Sequence, residues 1–531
     1  MRGGSTNRRG EVIKLFDFLV AGAGSAGCVV ARVLAEAGYR VAVVEAAEPG
    51  LPNRRPAEYL RSFGTDHDWR LKTTPQKSLA SRQLIQPRGR GPGGSTRINA
   101  MIWYPPRQCD IDSLVPQGGS GFDRQSLLAS LAAVTSWVQP QSPGWLSEAT
   151  RHYLRTTTPA IEMPHAFLRM GNRAGRVTAA DLLDAATLNR GSVEIMIAHV
   201  RRVVFDRDRA IGLEVHGDGD LSTTLLRAEK GVILCGGTFA SPAILIESGI
   251  GPDGTLADLQ IDARLDSPDV GNHLTDHLIM PIIFAIADRK RFPTQPSVAD
   301  LARWQVAGTG PLASNLAESG GIYELPPIGA THLSPIGATQ RLANRREEFQ
   351  VHVTPTHYLM HPNESAVAAM TIGVSLCLPK SRGRLSLERK DQSVAGTYCG
   401  AGGRALCIDP AYLSDRRDRA AMVAAVRQGR VIADDPELRP FIGDEILPSA
   451  SRQSDDAIER AISRFSQTLY HPAGTCRLGT DAASVVDPSG AVRGVERLYV
   501  IDGSIMPTIT SVNPNATIMM LAHRLASGLV G

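Results

Sequence analysis

Apolar positions first fall into a readable order between residues 16 and 46. A short apolar run at 18–21 gives way to glycines, after which Val29, Val30, Val33 and Leu34 recur at helical spacing. A second apolar run at 41–44 stops on Glu45. The switch of period from strand to helix and back predicts a βαβ unit. From Val193 the pattern becomes β-rich: VEIMIAHVRRVVFD, RAIGLEVHG and STTLLRAEKGVILCGG read as a meander returning to the same sheet. GVILCGG reads as a fully buried strand, with Ser241-Pro242 opening a helix. Segments 280–287, 349–355, 370–378 and 383–387 read as strands of a second domain. Met422, Val426, Gly429 and Ala433 mark one face of an amphipathic helix there. Residues 105–195 are uneven, with Ser-, Gly- and Pro-rich patches between helical segments such as 125–134, and read as connecting and lid material more than as a second core. The chain closes with a strand at 498–501, a turn at Asp502-Gly503-Ser504 and a helix at 517–529.

Length and composition narrow the picture. At 531 residues the chain exceeds one ordinary core, so two domains with interleaved segments are expected. A net charge of +4 spread over that length, with no dense basic block, argues against a nucleic-acid partner. No apolar run is long enough to span a bilayer, and the basic N-terminus lacks the apolar stretch of a signal peptide. The seven cysteines are scattered without C-x-x-C spacing, so no metal site and no disulfide framework is indicated. Reduced thiols suit the cytoplasm, which is the expected location. PIGAT occurs twice between 327 and 339, a period too short for a solenoid and read as an exposed loop.

Three stretches carry chemistry. Gly22, Gly24 and Gly27 have the G-x-G-x-x-G spacing of a dinucleotide site: a tight turn, close backbone approach to a pyrophosphate, and close helix–strand packing. Glu45 stands where an acid accepts both ribose hydroxyls, which also disfavours a 2′-phosphate. The glycines of PRGRGPGGSTRINAMIWY, residues 87–104, suit a second pyrophosphate or ring contact, since their amides can form an anion nest. Trp69 reads as a buried anchor or a ring near the cofactor. In the last segment, LYHPAGTCRLG and SVNPNAT put His471 and the asparagines Asn513 and Asn515 on short loops. An imidazole is the natural base for an alcohol proton, because its pKa of about 6.5 lies near working pH.

Four blocks, in order, resemble the glucose–methanol–choline (GMC) flavin oxidoreductases: GAGSAG with Glu45, PRGRGPGGSTRINAMIW, GGTFASPAILIESGIGP, and HPAGTCRLG followed by VIDGSIMP and SVNPNAT. The resemblance implies an α/β fold, α+β overall, with a Rossmann-type FAD-binding domain assembled from 14–150, 193–275 and 465–531. A substrate-binding cap on an antiparallel sheet would come from 151–192 and 276–464. It implies FAD as cofactor, with Ser25 and Ala26 near the pyrophosphate and Glu45 on the adenosine ribose. Gly93, Gly94, Asn99 and Ala100 would lie around the ring and Val200 near adenine. Arg88, Trp69 and Gly503 are expected to contact the cofactor, with Tyr470 and Asp502 near ring and phosphates. His471 resembles the catalytic base and Asn513 its partner on the alkoxide, with Asn515 the register alternative. Ile98 stands where members with tethered FAD carry His, so non-covalent FAD is expected.

Departures include Pro92, Pro105-Pro106 and His273, and the usual lid motif is lacking, so access to the pocket is expected to be open. His273 and His277, in VGNHLTDH, read as structural. His361 reads as a surface loop residue, and His352, between Val351 and Val353, as half-buried on a strand or facing the pocket. The expected reaction is oxidation of a small primary alcohol to the aldehyde, with proton removal by histidine and hydride transfer to flavin N5. The substrate would be choline, an aryl or furanic alcohol, or an aliphatic one, with O₂ or another electron acceptor. The alternatives are an FAD-containing lyase acting on cyanohydrins and a flavoprotein without catalysis.

Overall fold

A computed structural model describes residues 5–6, 12–13, 15–50, 55–119, 122–172, 175–183, 192–217, 222–287, 297–326, 347–359, 368–389 and 404–530. The repeated PIGAT segment and His361 lie outside these residues. Two seven-stranded sheets organise the chain. In the first, Leu15–Ala21 lies between Val41–Glu45 and Thr224–Leu234, all parallel, with Val193–Ile197 at one edge. Arg209–His216 and His199–Asp206 extend it as antiparallel strands, and Leu498–Val500 docks in parallel on the end of Thr224–Leu234. All five residues of Val41–Glu45 are buried, as a parallel strand covered on both faces requires.

The helix Ser25–Glu36 packs on the last helix, Asn515–Gly528, which packs in turn on Arg124–Val138. This last contact differs from the sequence expectation for 105–195. Leu127, Val134 and Val138 belong to the main core, but further apolar residues such as Leu128 stand outside it, blurring the helical period. The segment after 150 is shared: Glu162–Ala166 edges the second sheet, whereas Met170, Ala179 and Leu182 join the first core.

The second sheet is antiparallel throughout, in the order Ile442–Leu447, Leu278–Ile286, Ala369–Leu376, Glu348–Thr354, Ser319–Glu324, Glu162–Ala166, with the short strand Gln467–Thr468 also paired to Leu278–Ile286. Alternation on Glu348–Thr354 divides its two faces. Phe349, Val351 and Val353 pack in one core with the helices Arg416–Ala433 and Asp455–Phe465. Gly429 permits that packing, since a Cβ there would lie 2.4 Å from the Ile282 side chain. Gln350, His352 and Thr354 occupy the opposite face. His352 and Thr354 line a chamber whose other walls come from the first layer.

Candidate active site

The chamber has a volume of about 920 Å³, near the upper end of the ~300–1,000 Å³ of small-molecule sites. One end is built from glycine. Gly22 has φ +106°, and a Cβ there would meet the Cys235 carbonyl at 2.5 Å. A Cβ on Gly27 would lie 1.9 Å from the Gly22 carbonyl, so Gly27 serves helix–strand packing and does not face the chamber. Gly24 has nothing within 4 Å of its Cβ position and opens onto the chamber. The helix Ser25–Glu36 begins there with no side-chain cap, so its first N–H groups and positive dipole end, at Ser25 and Ala26, face the same space.

The second glycine loop backs onto the first. Gly93 N–H donates to the Ala23 carbonyl at 2.7 Å, and a Cβ on Gly94 would lie 2.7 Å from Gly24 Cα. Gly94 lines the chamber; Gly93, expected around the ring, sits behind it against Thr178. Glu45 accepts from Ala23 N–H at 2.9 Å, Ala46 N–H at 2.9 Å and Gly91 N–H at 3.1 Å, tying both loops to the strand end. Burial pushes its carboxyl up, opposed by these N–H groups and Arg97. Val200 and Trp69 line the same end. Asn99, Ala100 and Gly503 also line the chamber, as does Asp502, whose carboxylate accepts from Gly237 N–H and Ser241 Oγ at 2.8 and 2.6 Å.

The other end is an imidazole loop held by a buried acid. His471 N–H donates to Asp276 Oδ1 at 2.8 Å, while Asp276 Oδ2 accepts from Thr468 Oγ1 at 2.6 Å, from Gln86 and from the Tyr412 hydroxyl. Arg88 donates to the Tyr470 carbonyl at 2.7 Å, and Tyr470 takes φ +65°. This bracing turns the His471 ring toward two partners. Its Nδ1 lies 3.0 Å from Nδ1 of His277, whose Nε2 lies 3.0 Å from the Cys377 carbonyl. Its Nε2 lies 3.1 Å from Nδ2 of Asn513.

The protons follow from this network. A carbonyl only accepts, so His277 Nε2 carries a proton and its Nδ1 accepts. His471 Nδ1 is then the donor, and its Nε2 keeps a lone pair toward Asn513 and the chamber. Gln350 Nε2 lies 3.4 Å from Asn513 Oδ1, which turns the Asn513 amide nitrogen toward the imidazole. Burial, then the neighbouring His277, His352 and Arg88, hold the His471 pKa well below 6.5, so the ring is neutral at neutral pH.

Of the two asparagines, Asn513 is the one at the imidazole. It does not cap the following helix, whose N-terminus has no side-chain cap. Asn515 faces the glycine end, where its Oδ1 accepts from Ser25 Oγ at 2.7 Å. His277, read from sequence as structural, touches the His471 ring directly. Its signal was weak, because the two residues lie 194 positions apart. His352 is buried on the chamber wall, whereas His273 pairs with Asp269 at 3.1 Å on an exposed turn. Among the described residues no cluster of three or more His, Cys, Asp or Glu is arranged for a metal ion.

The donor set fits a dinucleotide bearing a flat ring: an open glycine and an uncapped helix for phosphates, then a neutral base at the far end. Family models described as GMC oxidoreductase match residues 160–279 and 379–522. The chain is 30% identical to an alcohol dehydrogenase [acceptor] of Pseudomonas putida, over 97% of this chain and 96% of the relative. It is also 30% identical to an oxygen-dependent choline dehydrogenase of Pseudomonas savastanoi pv. phaseolicola, over 97% and 94%. A solved pyridoxine 4-oxidase from "Mesorbium loti" superposes with a TM-score of 0.80 at 26% identity, covering 97% of this chain and 99% of that one.

Proposed function

The chain belongs to the GMC oxidoreductases, and we propose that it oxidises a small primary alcohol to the aldehyde, with His471 removing the hydroxyl proton. It is an FAD enzyme acting on alcohols, and bound FAD supplies the two-electron acceptor for the hydride. Non-covalent binding is supported by Ile98, a buried apolar side chain with no atom to form a tether. Gly24, Ser25 and Ala26 offer backbone N–H groups to the pyrophosphate, and Glu45 keeps a carboxylate at the ribose end.

One observation carries the reading: the chain Cys377 carbonyl, His277, His471, Asn513 leaves His471 Nε2 as a lone pair on the chamber side. A neutral imidazole there accepts the proton of a bound hydroxyl. Asn513 Nδ2 donates to the same oxygen as negative charge develops, and Asp276 keeps the loop from moving. O₂ or another acceptor then takes the electrons. No helix among the described residues is long and apolar enough to cross a membrane. The described cysteines are free thiols, which suits the cytoplasm.

The test is anaerobic bleaching of the flavin spectrum by a panel of alcohols, followed by admission of air. His471→Ala should keep FAD bound while flavin reduction falls on the order of 10²-fold or more. Wild-type-like reduction in that variant refutes the base. Product formed without bleaching would indicate a lyase instead.

A further inference from the structure

We infer that Arg88 stabilises the negative charge that reduction places on the flavin ring, and so raises the potential at which bound FAD accepts electrons. The inference rests on the FAD site proposed above and deepens it. Arg88 opens the second glycine loop, and its guanidinium crosses to the imidazole loop, where Nη2 donates to the Tyr470 carbonyl at 2.7 Å. The side chain thus links the loop that carries Gly94 to the loop that carries His471, and all three residues line the chamber. A ring that takes hydride from an alcohol held at His471 has to lie at this junction.

The guanidinium is not neutralised by a direct ion pair among the described residues. Its two hydrogen bonds go to neutral carbonyls, those of Pro87 and Tyr470. Its Nη1 has no partner there, and it is not sealed away from the chamber. Asp276 and Asp68 act on Arg88 only through space, and burial outweighs them in pulling its pKa below the ordinary value. Both acids are engaged by other donors. Asp276 accepts from His471 N–H, Thr468, Gln86 and Tyr412, and Asp68 from the backbone N–H groups of Gly64, Arg70 and Arg88. Arginine keeps its charge even so. Its field reaches the base, since Arg88 helps to lower the His471 pKa. A desolvated cation without a paired anion is costly, and negative charge developing beside it offsets that cost.

Reduction creates such a charge. The alcohol carbon gives a hydride to the ring and the hydroxyl gives its proton to His471 Nε2, leaving the aldehyde. One negative charge then resides on the ring and one positive charge on the imidazole. Arg88 favours the first and opposes the second, so it also favours later loss of the proton from His471. The pyrophosphate carries the same charge in both oxidation states, so a cation serving it alone would leave the potential unmoved.

The experiment measures the two-electron potential of bound FAD by dye-linked titration with dithionite, at about pH 8, above the ordinary imidazole pKa. It compares wild type with Arg88→Lys, which keeps the charge, Arg88→Gln, which keeps a donor for the Tyr470 carbonyl without the charge, and Arg88→Met, which keeps neither. In the Gln and Met variants reduced FAD should bind on the order of 10²-fold more weakly relative to oxidised FAD, a fall of about 59 mV in potential. Arg88→Lys should stay near wild type. Equal weakening of both forms of FAD with an unmoved potential assigns Arg88 to the pyrophosphate and overturns the inference. A fall in Arg88→Met alone assigns the effect to the Tyr470 bond and also overturns it, as does wild-type potential in both neutral variants. Wild type loaded with ¹⁵N-labelled FAD gives a reading that no folding defect can blur. Nitrogen N1 of its reduced ring should stay unprotonated at mildly acid pH, and a protonated N1 there refutes the stabilised anion. Dithionite supplies the electrons, so failure to find an alcohol that bleaches the protein leaves this result standing, whereas a protein that takes up no FAD fails the cofactor site and this inference together.

Discussion

Replacing His277 tests the proton arrangement at the base without touching the base. In His277→Leu, the Nδ1–H of His471 loses its acceptor at 3.0 Å inside a buried site. A buried donor left unmet costs about 1–3 kcal/mol, and the ring can escape that cost by moving its proton to Nε2. The escape removes the lone pair that takes the alcohol proton. At about 1.4 kcal/mol per factor of ten, flavin reduction should slow roughly 10- to 100-fold. A second signature follows from sign. His277 helps to hold the His471 pKa down, so its removal raises that pKa, and the acid limb of the reduction rate moves to higher pH. Asn at 277 places an amide oxygen near the lost nitrogen and should recover part of the rate. The assay is anaerobic stopped-flow reduction across pH, at equal FAD content. A His277→Leu rate within about twofold of wild type, with an unmoved acid limb, would refute the tautomer argument.

Other consequences are open to direct measurement. Gly22→Ala places a Cβ 2.5 Å from a backbone carbonyl at φ +106° and should lower the melting temperature. Gly24→Leu adds a Cβ with no protein atom within 4 Å and should change the melting temperature of the cofactor-free protein little while FAD binding is lost; FAD content equal to wild type would contradict this. Burial lowers the pKa of His277, His352 and His471 alike. The folded chain therefore binds fewer protons than the unfolded one below about pH 6.5. Stability should be fully present above that pH and fall on acidification by at most about 1.4 kcal/mol per pH unit for each ring. Urea midpoints compared at about pH 8 and about pH 5.5 read this out, and equal midpoints would count against it.

What the sequence disclosed tracks how local each signal is. Gly22, Gly24, Gly27 and Glu45 lie within one βαβ unit, so spacing alone indicated a nucleotide fold. His471 and Asn513 sit in short, distinctive loops. His277 was less legible, because its function depends on a partner across 194 residues and its motif also makes a turn. Gln350, which orients Asn513, carried no signal beyond strand alternation. The alternation at 349–354 did separate His352 and Thr354 from the apolar side, but one strand cannot say what faces it. The helix over 125–134 was legible, but apolar residues on the outer side of Arg124–Val138 blur the period and hid that it joins the main core.

The hydrogen bond from Ser25 to Asn515 joins the first helix of the chain to the last, 490 residues away. The glycine loop is backed nearby by Gly93 and Gly94, but this part of its wall comes from a segment remote in sequence, as does Leu498–Val500, which docks on the same sheet. Flavin capture is therefore expected to depend on long-range folding, and a chain lacking residues 498–530 should bind no FAD rather than bind it weakly.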